Sequence, residues 1–148
     1  MPERPWQQAP PPTGDHCWSW APDGLEDLPR VRREFQAHLT GPELGELDAD
    51  RVRECVLALD ELMSNGLRHG RAPVEVEVCR VRGGLLLMVS DRAADEPPRP
   101  TSTRDPGQGG MGLGMIASAS VACGWEPTTD LKTVWAVMPT SVGDRTPA

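Results

Sequence analysis

Tyrosine is absent from the chain, phenylalanine occurs once, and lysine occurs only as Lys132, the other basic residues being arginines. No run of residues approaches the ~18 apolar positions of a membrane span, and the amino terminus lacks the apolar core of a signal peptide. Positive charge is scarce as well. With 15 basic and 22 acidic residues in 148, the formal charge is −7, which argues against a broad basic face for nucleic acid. The four cysteines, Cys17, Cys55, Cys79 and Cys123, form no CxxC and no Cys/His cluster, so they read as small apolar residues in a reducing cytosol, with structural zinc disfavoured. A soluble cytoplasmic protein of one domain is expected.

What is present in excess is proline and glycine, 16 and 15 residues respectively, against a hydrophobic fraction of 38%. That balance predicts a packed domain over 16–139 with loose ends: a Pro-rich tail over 1–15 and a second over 140–148. HCWSWA (16–21) alternates like an edge strand. Pro29 suits the first turn of a helix carrying Val31, Phe35 and Leu39. Asp48 or Asp50 opens the strongest helix, which runs to about His69 with Val52, Cys55, Val56, Leu59, Leu62, Met63 and Gly66 on one stripe. VEVEVCRV (74–81), a turn at Gly83-Gly84 and LLLMVS (85–90) form a hairpin whose second strand is central. A Pro-rich loop over 92–108, a helix from Gly112 and a last strand over 134–138 complete the order β-α-α-β-β-loop-α-β-β. The fold class is α+β: a two-layer sandwich with helices on one face of a mixed, mainly antiparallel sheet.

Three segments carry candidate chemistry. In ELMSN (61–65) Glu61 and Asn65 share a helix face one turn apart, away from the apolar stripe, where the bland alternative is a solvated surface pair. In VSD (89–91) Asp91 stands at the exit of the most apolar strand, able to cap the turn or to accept a hydrogen bond from a ligand. GQGGMGLG (107–114) places five glycines in eight residues ahead of a helix, a backbone that can wrap an anion or serve as a hinge.

In this order the three segments resemble the GHKL family of ATP-binding proteins, which includes gyrase and the histidine kinases. The resemblance is closest to short actinobacterial anti-sigma-factor Ser/Thr kinases. ELMSNGLRHG (61–70) is similar to the family's N-box, VSD (89–91) to the start of its first glycine box, GGMGLGM (109–115) to its second, and GW…KTVWAVMP (124–139) to its closing strands. The resemblance implies a Bergerat-type fold, ATP and Mg²⁺ as cofactors, and the following roles. Asn65 would hold Mg²⁺ through its side-chain oxygen, and Glu61 would be the general base. Asp91 would accept the adenine amino group, with Thr133 supporting it. Gly110, Gly112, Leu113 and Gly114 would lie along the phosphates, under a lid over 92–108. It further implies a sigma factor and a STAS-type antagonist as partners, with direct contact to neither nucleic acid nor membrane. One departure is plain: the first glycine box usually reads DxGxG, whereas Asp91 is followed by Arg92-Ala93-Ala94-Asp95. A non-catalytic binding module of the same fold is the alternative.

Among the tryptophans, Trp125 and Trp135 are expected in the core and Trp6 outside it. Trp18, Trp20 and the first helix offer an apolar edge for a homodimer.

Overall fold

A computed structural model describes residues 6–45, 47–98 and 112–140. Strand β1 (Asp15–Trp20) is followed by helix α1 (Leu28–Leu39) and the long helix α2 (Ala49–His69). The hairpin β2 (Glu75–Val81) and β3 (Gly84–Asp91), helix α3 (Gly112–Ala119), β4 (Ala122–Pro127) and β5 (Lys132–Pro139) complete the chain. The five strands form one sheet in the order β1-β2-β3-β5-β4, and all four pairings are antiparallel. The parallel component expected from the sequence shrinks to a single bridge, Gln8 with Trp125.

The long helix begins where its capping residue predicts. The Asp48 carboxylate accepts the Arg51 backbone N–H at 2.8 Å, satisfying one of the donors that a helix start leaves open. Its apolar stripe packs on β3, and Gly66 lets the helix come close: a Cβ there would lie 3.2 Å from Val89 Cγ1. Helix α1 buries Leu28, Val31, Phe35 and Leu39 on a spacing of three to four and packs against α2. The pair Arg32 Nη1 to Asp60 Oδ1, at 2.6 Å, links the two helices on their outer side. The hairpin turns at Gly83, whose φ of 80° is costly for a side-chain-bearing residue. The main core therefore lies between the helices and the inner face of the sheet, with Trp125 included.

Two expectations fail, each because a long-range contact overrides a local signal. Residues 1–5 of the Pro-rich amino-terminal segment lie outside the described residues, and Trp6, expected outside the core, packs within it. Trp6 is buried at 7% exposure in the main core, and its Nε1 donates to the Leu113 carbonyl. Ala9 N–H donates to Trp125 O, and Ala9 O accepts from Trp135 Nε1 at 2.8 Å, so the segment also crosses the outer face of the sheet over Leu86, Trp135 and Val137. Low apolar content was offset by backbone pairing and one tryptophan. The second correction concerns the cysteines. Cys17 and Cys79 are joined in a disulfide across 62 residues, with their Cα atoms 4.1 Å apart. Antiparallel pairing of Trp18 with Val78 sets the two side by side, which spacing along the chain does not reveal.

Candidate functional site

Glu61 and Asn65 project from the second face of α2. Both are buried, at 5% and 9% exposure, so the solvated surface pair is excluded for them. Leu57 and Arg68, which share the broader face, are exposed. Asn65 and His69 form one wall of a recess of about 180 Å³, completed by Glu96, Pro97, Pro98 and Lys132.

Asp91 ends β3 next to Lys132, one of the residues that line this recess. Its Oδ1 accepts the Ala93 backbone N–H at 2.8 Å and the Arg71 backbone N–H at 3.4 Å. Its Oδ2 lies 3.8 Å from Lys132 Nζ, and both side chains are nearly inaccessible, at 3% and 4%. Lys132 in turn donates to the Glu96 carbonyl at 2.6 Å. Two charges withdrawn from water lose several kcal/mol of hydration each, and a pair survives burial only when further hydrogen bonds hold both partners, as here. Gly70 completes the arrangement. Its backbone is extended (φ −89°, ψ −165°), so no left-handed geometry calls for glycine. Instead a Cβ at position 70 would fall 2.4 Å from Asp91 Cγ. The end of α2 is trimmed so that the carboxylate fits beneath it.

Thr133 does not join this group. In a strand successive side chains alternate faces. The register pairs Asp91 with Lys132 and Ser90 with Thr133, so Lys132 stands beside Asp91 on the helix side and Thr133 points the other way. Thr133 Oγ1 and Ser90 Oγ are 2.8 Å apart on the outer face. There they line a hollow of about 600 Å³ with Glu75, Glu77 and Met88. This hollow contains none of Glu61, Asn65 or Asp91. Thr133, expected to support adenine beside Asp91, therefore stands on the opposite face of the sheet, and Lys132 is the side chain that the register sets next to Asp91. Lys132 is the chain's one lysine, but the β3–β5 register that sets it opposite Asp91 is not visible in the sequence.

Of the glycine-rich segment, Gly110 lies outside the described residues, as does 99–108 of the expected lid. Gly112 opens α3 with a φ of 72°. Leu113 is a core residue whose carbonyl accepts from Trp6, and Gly114 O accepts the Ser118 hydroxyl at 3.2 Å within α3. Helix α3 packs against α2 and β5. Residues 92–98 fold back on the strand exit. Ala93 is fully buried where the family's pattern has its first glycine, and its carbonyl accepts the Glu96 N–H at 3.1 Å.

This order of elements, with three helices packed on a five-stranded antiparallel sheet, is that of an α+β sandwich of the Bergerat type. A family model for the histidine kinase-like ATPase domain matches residues 21–138, and the chain belongs to that family. No curated protein matches it. Membership implies ATP binding, typically with Mg²⁺. The residues present fit that pair of ligands. Asn65 offers a neutral hard oxygen and Glu61 an anionic one. Asp91 offers acceptors from a rigid strand end, and Lys132 adds a cation beside them. No helix among the described residues is long and apolar enough to cross a membrane.

Proposed function

We propose that the chain is an ATP-dependent Ser/Thr kinase of the anti-sigma-factor type, which binds a sigma factor and phosphorylates a STAS-type antagonist. The observation that carries this reading is the burial of Glu61 and Asn65 one helical turn apart, with Asn65 lining the recess bounded by Lys132. A Glu that only decorates a helix surface remains in water. One held in a dry layer beside an Asn is positioned to take the proton of an attacking hydroxyl. Phosphoryl transfer asks chiefly for positioning and charge neutralisation. In this reading Asn65 holds Mg²⁺, which neutralises phosphate charge, while Asp91 and Lys132 orient the base. Gly112 and Gly114 bring backbone close to the phosphates.

The test is a pair of substitutions assayed for Mg·ATP binding and for phosphate transfer from labelled ATP to STAS-fold candidates. Glu61→Ala abolishes transfer and leaves binding nearly intact. Asn65→Ala weakens both. Equal transfer by Glu61→Ala and wild type would remove Glu61 as the base.

One observation favours the alternative, a protein-binding module without catalysis. The recess measures about 180 Å³, below the ~300 Å³ at which ligand pockets usually begin, and Asp91 is already engaged by Lys132. In that reading sigma-factor capture proceeds equally with and without Mg·ATP, and no STAS-fold protein is labelled. A homodimer through Trp18, Trp20 and α1 belongs to the same proposal. Trp20 Nε1 donates to Glu34 Oε1 at 2.9 Å and Trp18 stacks on His38 at 4.5 Å, which keeps both rings on that edge.

A further inference from the structure

We propose that Cys17, Cys79 and Glu77 form a redox-gated site for a thiophilic divalent cation such as Zn²⁺, held by the dithiol form and expelled when the disulfide closes. One sulfur of each cysteine and a carboxylate oxygen of Glu77 all lie within 4.8 Å of one another. With Zn–S near ~2.3 Å and Zn–O near ~2.1 Å, donors around one ion stand roughly 3–4 Å apart, so opening the S–S bond needs only a small spread. Three protein donors with water in the fourth position is an established coordination for this ion.

The sheet supplies the positioning. Glu77 and Cys79 are two residues apart on β2, hence on one face, and the β1–β2 register brings Cys17 alongside. Side chains anchored on paired strands are held more tightly than donors on loops. Access is open on one side: Cys17 and Glu77 are exposed while Cys79 is buried. The remaining thiols lack these properties. Burial, reinforced by Glu54, pushes the Cys55 thiol up to about 12, which disfavours the thiolate that a metal needs. Cys123 lies on β4, at the opposite edge of the sheet.

The chemistry is a two-electron exchange. The two metal-bound thiolates lose one electron each to a small-molecule disulfide, which takes two electrons and two protons and leaves as two thiols. The protein S–S bond forms as the oxidant's S–S bond breaks, and the cation departs as Zn²⁺ because both of its sulfur donors are consumed. None of these three residues lines the recess beside Asn65, so this site is separate from it.

The experiment uses the full chain, reduced by a phosphine and then freed of it, titrated with Cd²⁺ as a spectroscopic stand-in and with Zn²⁺ against a chromogenic chelator. The reduced chain takes up one Cd²⁺ with a thiolate charge-transfer band, and the oxidised chain takes up none. Cys17→Ser weakens binding at least about hundredfold, Glu77→Gln about tenfold, and Cys123→Ser leaves it unchanged. The comparison of oxidised and reduced wild type needs no substitution, so a misfolded variant does not obscure the outcome. Equal affinity in the reduced and oxidised chains, or loss of binding in Cys123→Ser alone, would overturn the proposal.

Discussion

At the shared end of β3 and β5, two adjacent residue pairs meet opposite surroundings. Asp91 and Lys132 face the helices and are sealed beneath Gly70 and the 93–98 segment, whereas Ser90 and Thr133 face outward and stay half-buried. Both pairs are polar and in contact, yet only one is enclosed with the Glu61 and Asn65 layer. The difference is a matter of strand period alone. A shift of one residue moves a side chain from a dry, charged recess to an open hydroxyl pair. A motif carried over by similarity therefore needs its register checked before any role is assigned.

The comparison breaks most severely if the inner pair is cut. Asp91→Ala leaves the Lys132 ammonium buried with, among the described residues, the Glu96 carbonyl as its hydrogen-bond acceptor, and a buried charge stripped of its partner costs about 3–5 kcal/mol. Urea unfolding measures that loss, and nucleotide binding should vanish with it. Gly70→Ala tests the same enclosure from above. Its methyl must displace the Asp91 carboxylate or the end of α2, an overpacking strain of about 1–3 kcal/mol, with weaker nucleotide binding as a second readout. On the outer face, Thr133→Val removes one hydroxyl from a half-buried pair whose Ser90 partner can turn to solvent. The cost is about 1 kcal/mol or less, and nucleotide affinity is unchanged. The smallest effect concerns Cys55, whose thiol remains protonated at pH 8. Mass-mapped alkylation of the folded chain at that pH leaves it unmodified, and labelling appears only on unfolding.

Much of the framework was legible because its signals are local. Asp48 caps the helix that its position announces, and the stripe from Val52 to Gly66 faces the sheet. The alternation of 74–81 and the apolar run of 85–90 yield the hairpin. Glu61, Asn65 and Asp91 were legible as candidates for the same reason: each occupies a defined place on a periodic element. What escaped the sequence depends on pairing between distant segments. Lys132 acquires its place only from the β3–β5 register, and Cys17 meets Cys79 only through β1–β2 pairing. Trp6 is buried although it lies in a Pro-rich segment, and its target, the Leu113 carbonyl and the core around it, lies 107 positions away in sequence. Composition reports on average cohesion and carries no information about a single anchored ring.

We propose that nucleotide binds on the helix side of the sheet, at Asp91 and Lys132, and not at the outer hollow beside Thr133. Calorimetric titration of Mg·ATP into wild type, Asp91→Asn and Thr133→Val tests it directly. Asp91→Asn replaces one acceptor oxygen by a donor while keeping the shape. Wild type and Thr133→Val should bind with the same micromolar affinity, and Asp91→Asn should be weakened by about tenfold or more, at least ~1.4 kcal/mol. Absence of binding by wild type at millimolar Mg·ATP, or a loss in Thr133→Val equal to that in Asp91→Asn, would contradict it.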